Sequence, residues 1–305
     1  MNNTSTLPSP RTAAATPGHN EIELIRPDAQ HIPELARICY EAFGDLHDRH
    51  CVPRDFHTLE FARMVIGLFV SRPEIHAVAA RVDDALAGSN YLSLLDEASG
   101  IGPISVDPAQ QGKRVGRVLM QAVMDEAERR GIRQVRLVQE ALNTTSASLY
   151  ASVGFEVREP LALMKLSPTA AGDSTVRAFH PGDFPALDDL CRRHCKVSRL
   201  NELKFWTSLD MPLFVREREG RLRGYFLPGK LGHSVAETTA DALALFSQAG
   251  RVVPVDSALI LCPMRHSELF QGALRAGHRV VKVLTLMTRG PYPEPDGAWT
   301  ASYLY

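Results

Sequence analysis

"VDPAQQGKRVGRVLM", residues 106–120, starts on a β-branched residue, turns at Asp107-Pro108, gathers Gln, Gly and cations, and then becomes apolar at helical spacing. The spacing predicts a helix from about 115 to 130, with Val115, Val118, Leu119, Ala122 and Val123 on one face and Gly131 at its end. A helix N-terminus presents unpaired N–H groups and about half a positive charge, so it attracts anions. Gly112 and Gly116 carry no Cβ to hold a phosphate away from the backbone, and Lys113, Arg114 and Arg117 add cationic donors. A pyrophosphate suits this arrangement, and so does a plain surface turn before an ordinary helix. Two familiar phosphate loops are excluded. Arg114 follows Lys113 where a P-loop needs Ser or Thr, and no GxGxxG follows the first strand.

A second stretch, "NTTSASLYASVGF" (143–155), encodes a short helix between Asn143, a plausible N-cap, and Gly154. Tyr150 falls on that helix beside Leu149 and reads equally as core. Taken together and in this order, the two stretches resemble the GNAT superfamily of acyl-CoA-dependent N-acyltransferases. The first corresponds to its Q/R-x-x-G-x-G/A signature after a strand. The second corresponds to N-x-x-A/S-x-x-L-Y-x-x-x-G-F through Asn143, Ser146, Leu149, Tyr150, Gly154 and Phe155. One departure stands out: Arg114 occupies a position where the family usually has Gly.

The resemblance implies acetyl-CoA as cosubstrate and no metal. The strand of Ile104, Ser105 and Val106 would bond the pantetheine arm through the backbone of Ile104 and Val106. The amides of Gln111, Gly112, Lys113, Arg114, Val115, Gly116 and Arg117 would hold the pyrophosphate. Asn143 and Ser146 would face the pantetheine side, and Tyr150 would protonate the departing thiolate. A phenol titrating near 10 suits a thiol titrating near 8.5. Glu140, at the end of strand "QVRLVQE", is the candidate base, although a solvated strand-end carboxylate fits the same position. His47 and His50 in "DLHDRH" read as a polar loop or as substrate contacts, and Tyr91 as a cleft residue or as packing.

The chain also repeats itself. Aligning Pro33 with Pro185 pairs Leu35 with Leu187, Ile38 with Leu190 and Cys39 with Cys191. "RVDDALAGSNYL" echoes "REREGRLRGYFL", and "PLALM" (160–164) echoes "VLTLM" (283–287). The expected division is a disordered tail at 1–19, an acetyl-CoA-binding catalytic copy at 20–166, a linker at 167–174 and a shortened copy at 175–305. Each copy is expected to be α/β, a mixed and mostly antiparallel sheet flanked by helices. In the second copy Tyr150 maps to Ala273 and Asn143 to His266, and "TADALALF" follows "GHSVAET" without a Gln-Gly cradle, so that copy reads as degenerate. In the mycothiol synthases, also tandem members, the C-terminal copy does the chemistry; here the motifs lie in the N-terminal one.

At 305 residues, 45% hydrophobic and 23% charged, the chain is globular and long enough for two domains. A net charge of −1 gives no bulk attraction to nucleic acid or an anionic membrane. The opening residues lack the apolar segment of a secretory signal, and no apolar run approaches the ~20 residues of a membrane span, so the cytoplasm is expected. Five cysteines suggest reduced thiols, and "CRRHC" (191–195) reads as a buried helix rather than a metal site. His233 reads as a core histidine, and Trp299, Tyr303 and Tyr305 as an aromatic tail docked in a groove. The expected partner is a small amine, acetylated by direct attack. Alternatives are another acyl-CoA, a protein amine, or a CoA-binding sensor without turnover.

Overall fold

A computed structural model describes residues 21–167 and 173–304. The expected tail, most of the linker and Tyr305 lie outside these residues. The first half runs β1 (Ile22–Ile25), α1 (Ile32–Arg49), α2 (Leu59–Ser71), β2 (Ile75–Val82), β3 (Ala85–Ser93), β4 (Ala98–Gly100), β5 (Ser105–Val106), α3 (Val115–Arg129), β6 (Gln134–Glu140), α4 (Thr144–Ser152) and β7 (Glu156–Lys165). The second half follows the same plan: β8 (Val176–Ala178), α5 (Phe184–Cys195), α6 (Leu200–Thr207), β9 (Phe214–Arg218), β10 (Arg221–Phe226), β11 (Ser234–Ala236), α7 (Thr239–Val252), β12 (Leu259–Pro263), α8 (Ser267–Arg275), β13 (Arg279–Arg289) and β14 (Ala298–Thr300).

The echoes found in the sequence occupy matching places. Leu35, Ile38 and Cys39 on α1 are fully buried, as are Leu187, Leu190 and Cys191 on α5, where "CRRHC" forms the last turns of a helix. Asn143 caps α4 by accepting from the Ser146 amide, and His266 caps α8 by accepting from the Leu269 amide through Nδ1. α3 buries Val115, Leu119 and Val123 as expected, and Gly131 follows its end at φ 69°.

Three sheets result, ordered β1-β2-β3-β5, β14-β11-β10-β9-β8 and β12-β7-β13-β6-β4. The first two are wholly antiparallel and have equivalent orders. The third is built by both halves. β13, from the second half, lies between β6 and β7 of the first, while β7 reaches across to β12. "PLALM" and "VLTLM" therefore face one another, Leu161 opposite Leu284 and Ala162 opposite Val283. Each would be an exposed apolar edge if its half closed alone, and pairing removes both edges.

The strand that positions the site changes partner midway. β4 runs parallel to β6, and the Ile101 amide still donates to the Arg136 carbonyl at 2.9 Å. Beyond Gly102-Pro103 the chain leaves β6, and β5 pairs with β3 instead. A wedge opens between residues 102–106 and the end of β6. The C-terminal tail closes its far side: a Cβ on Gly100 would lie 1.8 Å from the Leu304 carbonyl oxygen, so only glycine admits that approach.

Candidate active site

Two connected cavities fill the wedge. The larger, about 590 Å³, runs along Ile104, Ser105 and Val106, past Gln111, Gly112, Arg114, Val115, Gly116 and Arg117, to Asn143, Ser146 and Tyr150. The smaller, about 160 Å³, lies deeper and shares Ile104, Asn143, Ser146 and Tyr150 with it. Gln111, Gly112 and Gly116 of the first signature and Asn143, Ser146, Leu149 and Tyr150 of the second thus line the larger cavity, whereas Gly154 and Phe155 line neither. Lys113 is tied back to Gln110 (Nζ to Oε1, 3.1 Å), and Arg117 reaches α4, donating to Ser152 Oγ at 2.8 Å.

The cradle has the geometry an anion requires. The α-helical ladder of α3 begins with the Val118 amide donating to the Arg114 carbonyl, so the preceding amides of the first turn point outward. Arg114, at the N-cap, is in the left-handed region at φ 70°, ψ 0°. This explains why the resembling family prefers glycine there. Arg114→Gly is expected to stabilise the protein by roughly 1 kcal/mol, measured by urea unfolding, because the left-handed penalty of a Cβ is removed. A destabilised variant would show that the Arg114 side chain contributes more than its backbone costs. Gln111 donates from Nε2 to the Val106 carbonyl at 3.3 Å, which pins the cradle to the strand.

At the meeting point of the cavities, Tyr150 is buried on α4, T-shaped to Phe155. Burial pushes its phenol up to about 12, with a hydrogen bond from Ser146 opposing the shift. It therefore remains protonated wherever a thiolate can form.

The deep cavity holds groups the sequence did not connect. Glu140 is buried, not a solvated strand-end carboxylate. His47 is fully buried and lies inside α1, which extends through Arg49, so the expected polar loop is helix. Its Nε2 lies 3.1 Å from Glu140 Oε1 and 3.7 Å from Asp55 Oδ2. His50 sits just past α1, exposed, with Nδ1 2.9 Å from the Leu46 carbonyl, and lines the larger cavity. Tyr91 is buried behind Phe69, its hydroxyl donating to Ser89, and is not among the residues lining either cavity. It packs; it does not contact the channel.

His47, Asp55 and Glu140 could together ligate a cation. The positive charge they surround is supplied by the chain itself. Lys282 on β13 is buried, hydrogen-bonded to Glu140 Oε1, 2.9 Å from Asp55 Oδ1 and 3.2 Å from His47 Nε2. Lys230 also donates to Asp55 (2.7 Å), as does the Tyr303 hydroxyl (3.1 Å). Burial pushes the Asp55 carboxyl up, but the ammoniums of Lys230 and Lys282 outweigh it and hold it well below the usual carboxylate range. Tyr303 is thus docked, as expected of the aromatic tail, and it is also part of the site wall. His233, by contrast, is core: its Nε2 pairs with the Tyr225 hydroxyl at 3.0 Å. Lys282 had one legible signal, a lone cation inside the apolar run "VVKVLTLM". Asp55, Lys230 and Tyr303 had none.

Among the described residues, Glu140 Oε2 has no hydrogen-bond partner, and it is buried. In the second half, only Glu237 and Thr238 separate β11 from α7, and Thr238 caps that helix by accepting from the Asp241 amide. There is no room for a glycine cradle.

Residues 32–155 match the Acetyltransferase (GNAT) family. The GNAT segment therefore contains α1, the cradle, β6 and α4, but not β7 or the strand that carries Lys282. A [ribosomal protein bS18]-alanine N-acetyltransferase of Escherichia coli is 40% identical over 62 residues, 20% of this chain and 41% of that protein. A mycothiol acetyltransferase of Beutenbergia cavernae is 38% identical over 74 residues, 24% of this chain and 25% of that protein. The chain thus spans less than half the length of these curated relatives. A solved Pyrococcus horikoshii chain assigned to the acetyltransferases superposes with a TM-score of 0.76 over 96% of this chain and 98% of its own, at 14% identity. That likeness shows the fold, in which both halves are present. Among the described residues, no helix is long and apolar enough to cross a membrane.

Proposed function

We propose that the protein is an N-acetyltransferase that takes acetyl-CoA in the larger cavity and transfers its acetyl group to an amine in the smaller one. The observation that carries this reading is the junction of the two cavities. An outward-facing amide cradle lies along one, Glu140, a buried carboxylate with one oxygen unpaired among the described residues, is part of the wall of the other, and the phenol of Tyr150 lines both. Acetyl-CoA supplies an activated carbonyl on a thiol leaving group. The first-turn amides of α3, with Arg114 beside them, hold its pyrophosphate, and the backbone at residues 104–106, where Gln111 now bonds the Val106 carbonyl, takes its arm.

Glu140 Oε2 accepts the proton of the acceptor ammonium, freeing the nitrogen lone pair. That nitrogen bonds to the carbonyl carbon, the carbon–sulfur bond breaks, and the sulfur leaves with the electron pair. Tyr150 supplies the proton that the sulfur takes up, and the second proton that the nitrogen sheds on becoming an amide restores the phenol, so that one proton in total remains on Glu140. Lys282 and His47 act as positioning residues by fixing Oε1 and leaving Oε2 to turn toward the cavity.

We further read 20–166 as the catalytic copy and 175–305 as a degenerate one whose surviving role is to wall the acceptor site. Lys230, Leu231, Leu284, Tyr303 and Leu304 support this reading, since all of them line the smaller cavity.

Calorimetric titration with acetyl-CoA tests the proposal. One site per chain is expected, and Gly116→Trp should abolish the binding heat. A Cβ at Gly116 would already meet Leu149 at 3.4 Å and Val106 at 3.7 Å, and an indole would fill the cradle. Two sites would return binding to the second half, and unchanged binding by the variant would move the pyrophosphate elsewhere.

A further inference from the structure

The chemistry of the smaller cavity restricts what can accept the acetyl group, given the N-acetyltransferase reading above. Much of its wall is apolar: Phe43, Phe56 and Phe61 form a contiguous aromatic cluster, and Val65, Phe69 and Leu284 also line it. Its volume of about 160 Å³ is close to the ~150 Å³ of an apolar cavity that holds one benzene ring. Both ammonium groups at its polar end are engaged: Lys282 is bound to Asp55, Glu140 and His47, and Lys230 is bound to Asp55. Among the described residues, Glu140 Oε2 and the neighbouring Gln139 Oε1 are buried acceptors without a partner, and both call for a donor.

We propose that the acceptor is a primary amine borne on a single aromatic ring or a short branched hydrocarbon and carrying no second charge. Its ammonium meets Glu140 Oε2 while its apolar body replaces the cavity's empty contacts. An amino acid with the same side chain brings a carboxylate next to Glu140 and Asp55, where both lysines are already engaged. A diamine places its far ammonium among Phe43, Phe56, Phe61 and Phe69 with no counter-charge. Acetylation turns the ammonium into a neutral amide, which removes the charge that Glu140 holds and favours release.

The experiment measures thiol released from acetyl-CoA by the full chain with 2-phenylethylamine, L-phenylalanine and 1,4-diaminobutane. The value of kcat/KM for 2-phenylethylamine should exceed that for either of the others by at least about tenfold, since each uncompensated charge costs more than 1.4 kcal/mol. Equal or better use of phenylalanine or the diamine overturns the proposal. Binding of acetyl-CoA with no turnover of 2-phenylethylamine also overturns it, while leaving the acyl-CoA reading intact. Tighter binding of hexanoyl-CoA than of acetyl-CoA, with 2-phenylethylamine unable to bind, reassigns the cavity to the acyl chain. Failure to bind any acyl-CoA defeats the underlying reading instead.

Discussion

Replacing Lys282 by methionine is expected to destabilise the protein by about 3–5 kcal/mol at pH 7, the usual cost of leaving buried charge uncompensated. The lysine is buried and stands between Asp55 and Glu140, with His47 alongside. Methionine keeps the volume of the stem and removes the ammonium. Lys230 still serves Asp55, but Glu140 loses its cationic partner. In the wild type the Asp55 carboxyl titrates below its unfolded value, so its contribution is complete above about pH 4 and is lost as pH falls through the folded value. Urea unfolding at pH 7, where that contribution is complete, reads the loss. The double variant Lys282→Met, Glu140→Gln should recover most of the loss, because it removes the stranded charge. A single variant within about 1 kcal/mol of wild type would mean that the cluster is not held together by this lysine.

Tyr150→Phe is expected to lower kcat by about 10²–10⁴-fold while leaving acetyl-CoA affinity within about twofold, the range for removal of a positioned general acid. The phenol is buried where the two cavities meet, and burial holds its proton up to about 12. Phenylalanine preserves the ring that packs on Phe155 and removes the hydroxyl alone. Turnover should fall without a compensating change in KM. Unchanged turnover would show that the thiolate is protonated by water or another group. A protein that only senses CoA would have no turnover to lose, so the wild-type measurement separates that reading as well.

The lining of the larger cavity was legible in the chain because its determinants are local. An outward-facing helix N-terminus, two glycines and an N-capping Asn143 are set by residues within a few positions of one another, and the structure places them along one cavity. Arg114 was legible as a departure, and its left-handed backbone gives the physical meaning of that departure. The repeat was legible because Leu35 and Leu187, or Asn143 and His266, perform the same local task in equivalent elements.

The acceptor half was not legible, because nothing local makes it. Asp55, Glu140, Lys230, Lys282 and Tyr303 are far apart in the chain and share no spacing that sequence periodicity could expose. The sequence by itself determined where the glycines and the helix N-terminus of the larger cavity lie and that Tyr150 stands on the helix beside them. Only the tertiary structure decided that β13 crosses between β6 and β7 and delivers Lys282 to Glu140. The physical reason is that strand exchange is settled by burying the two apolar edges of β7 and β13 against each other. The energy of that pairing belongs to neither segment alone.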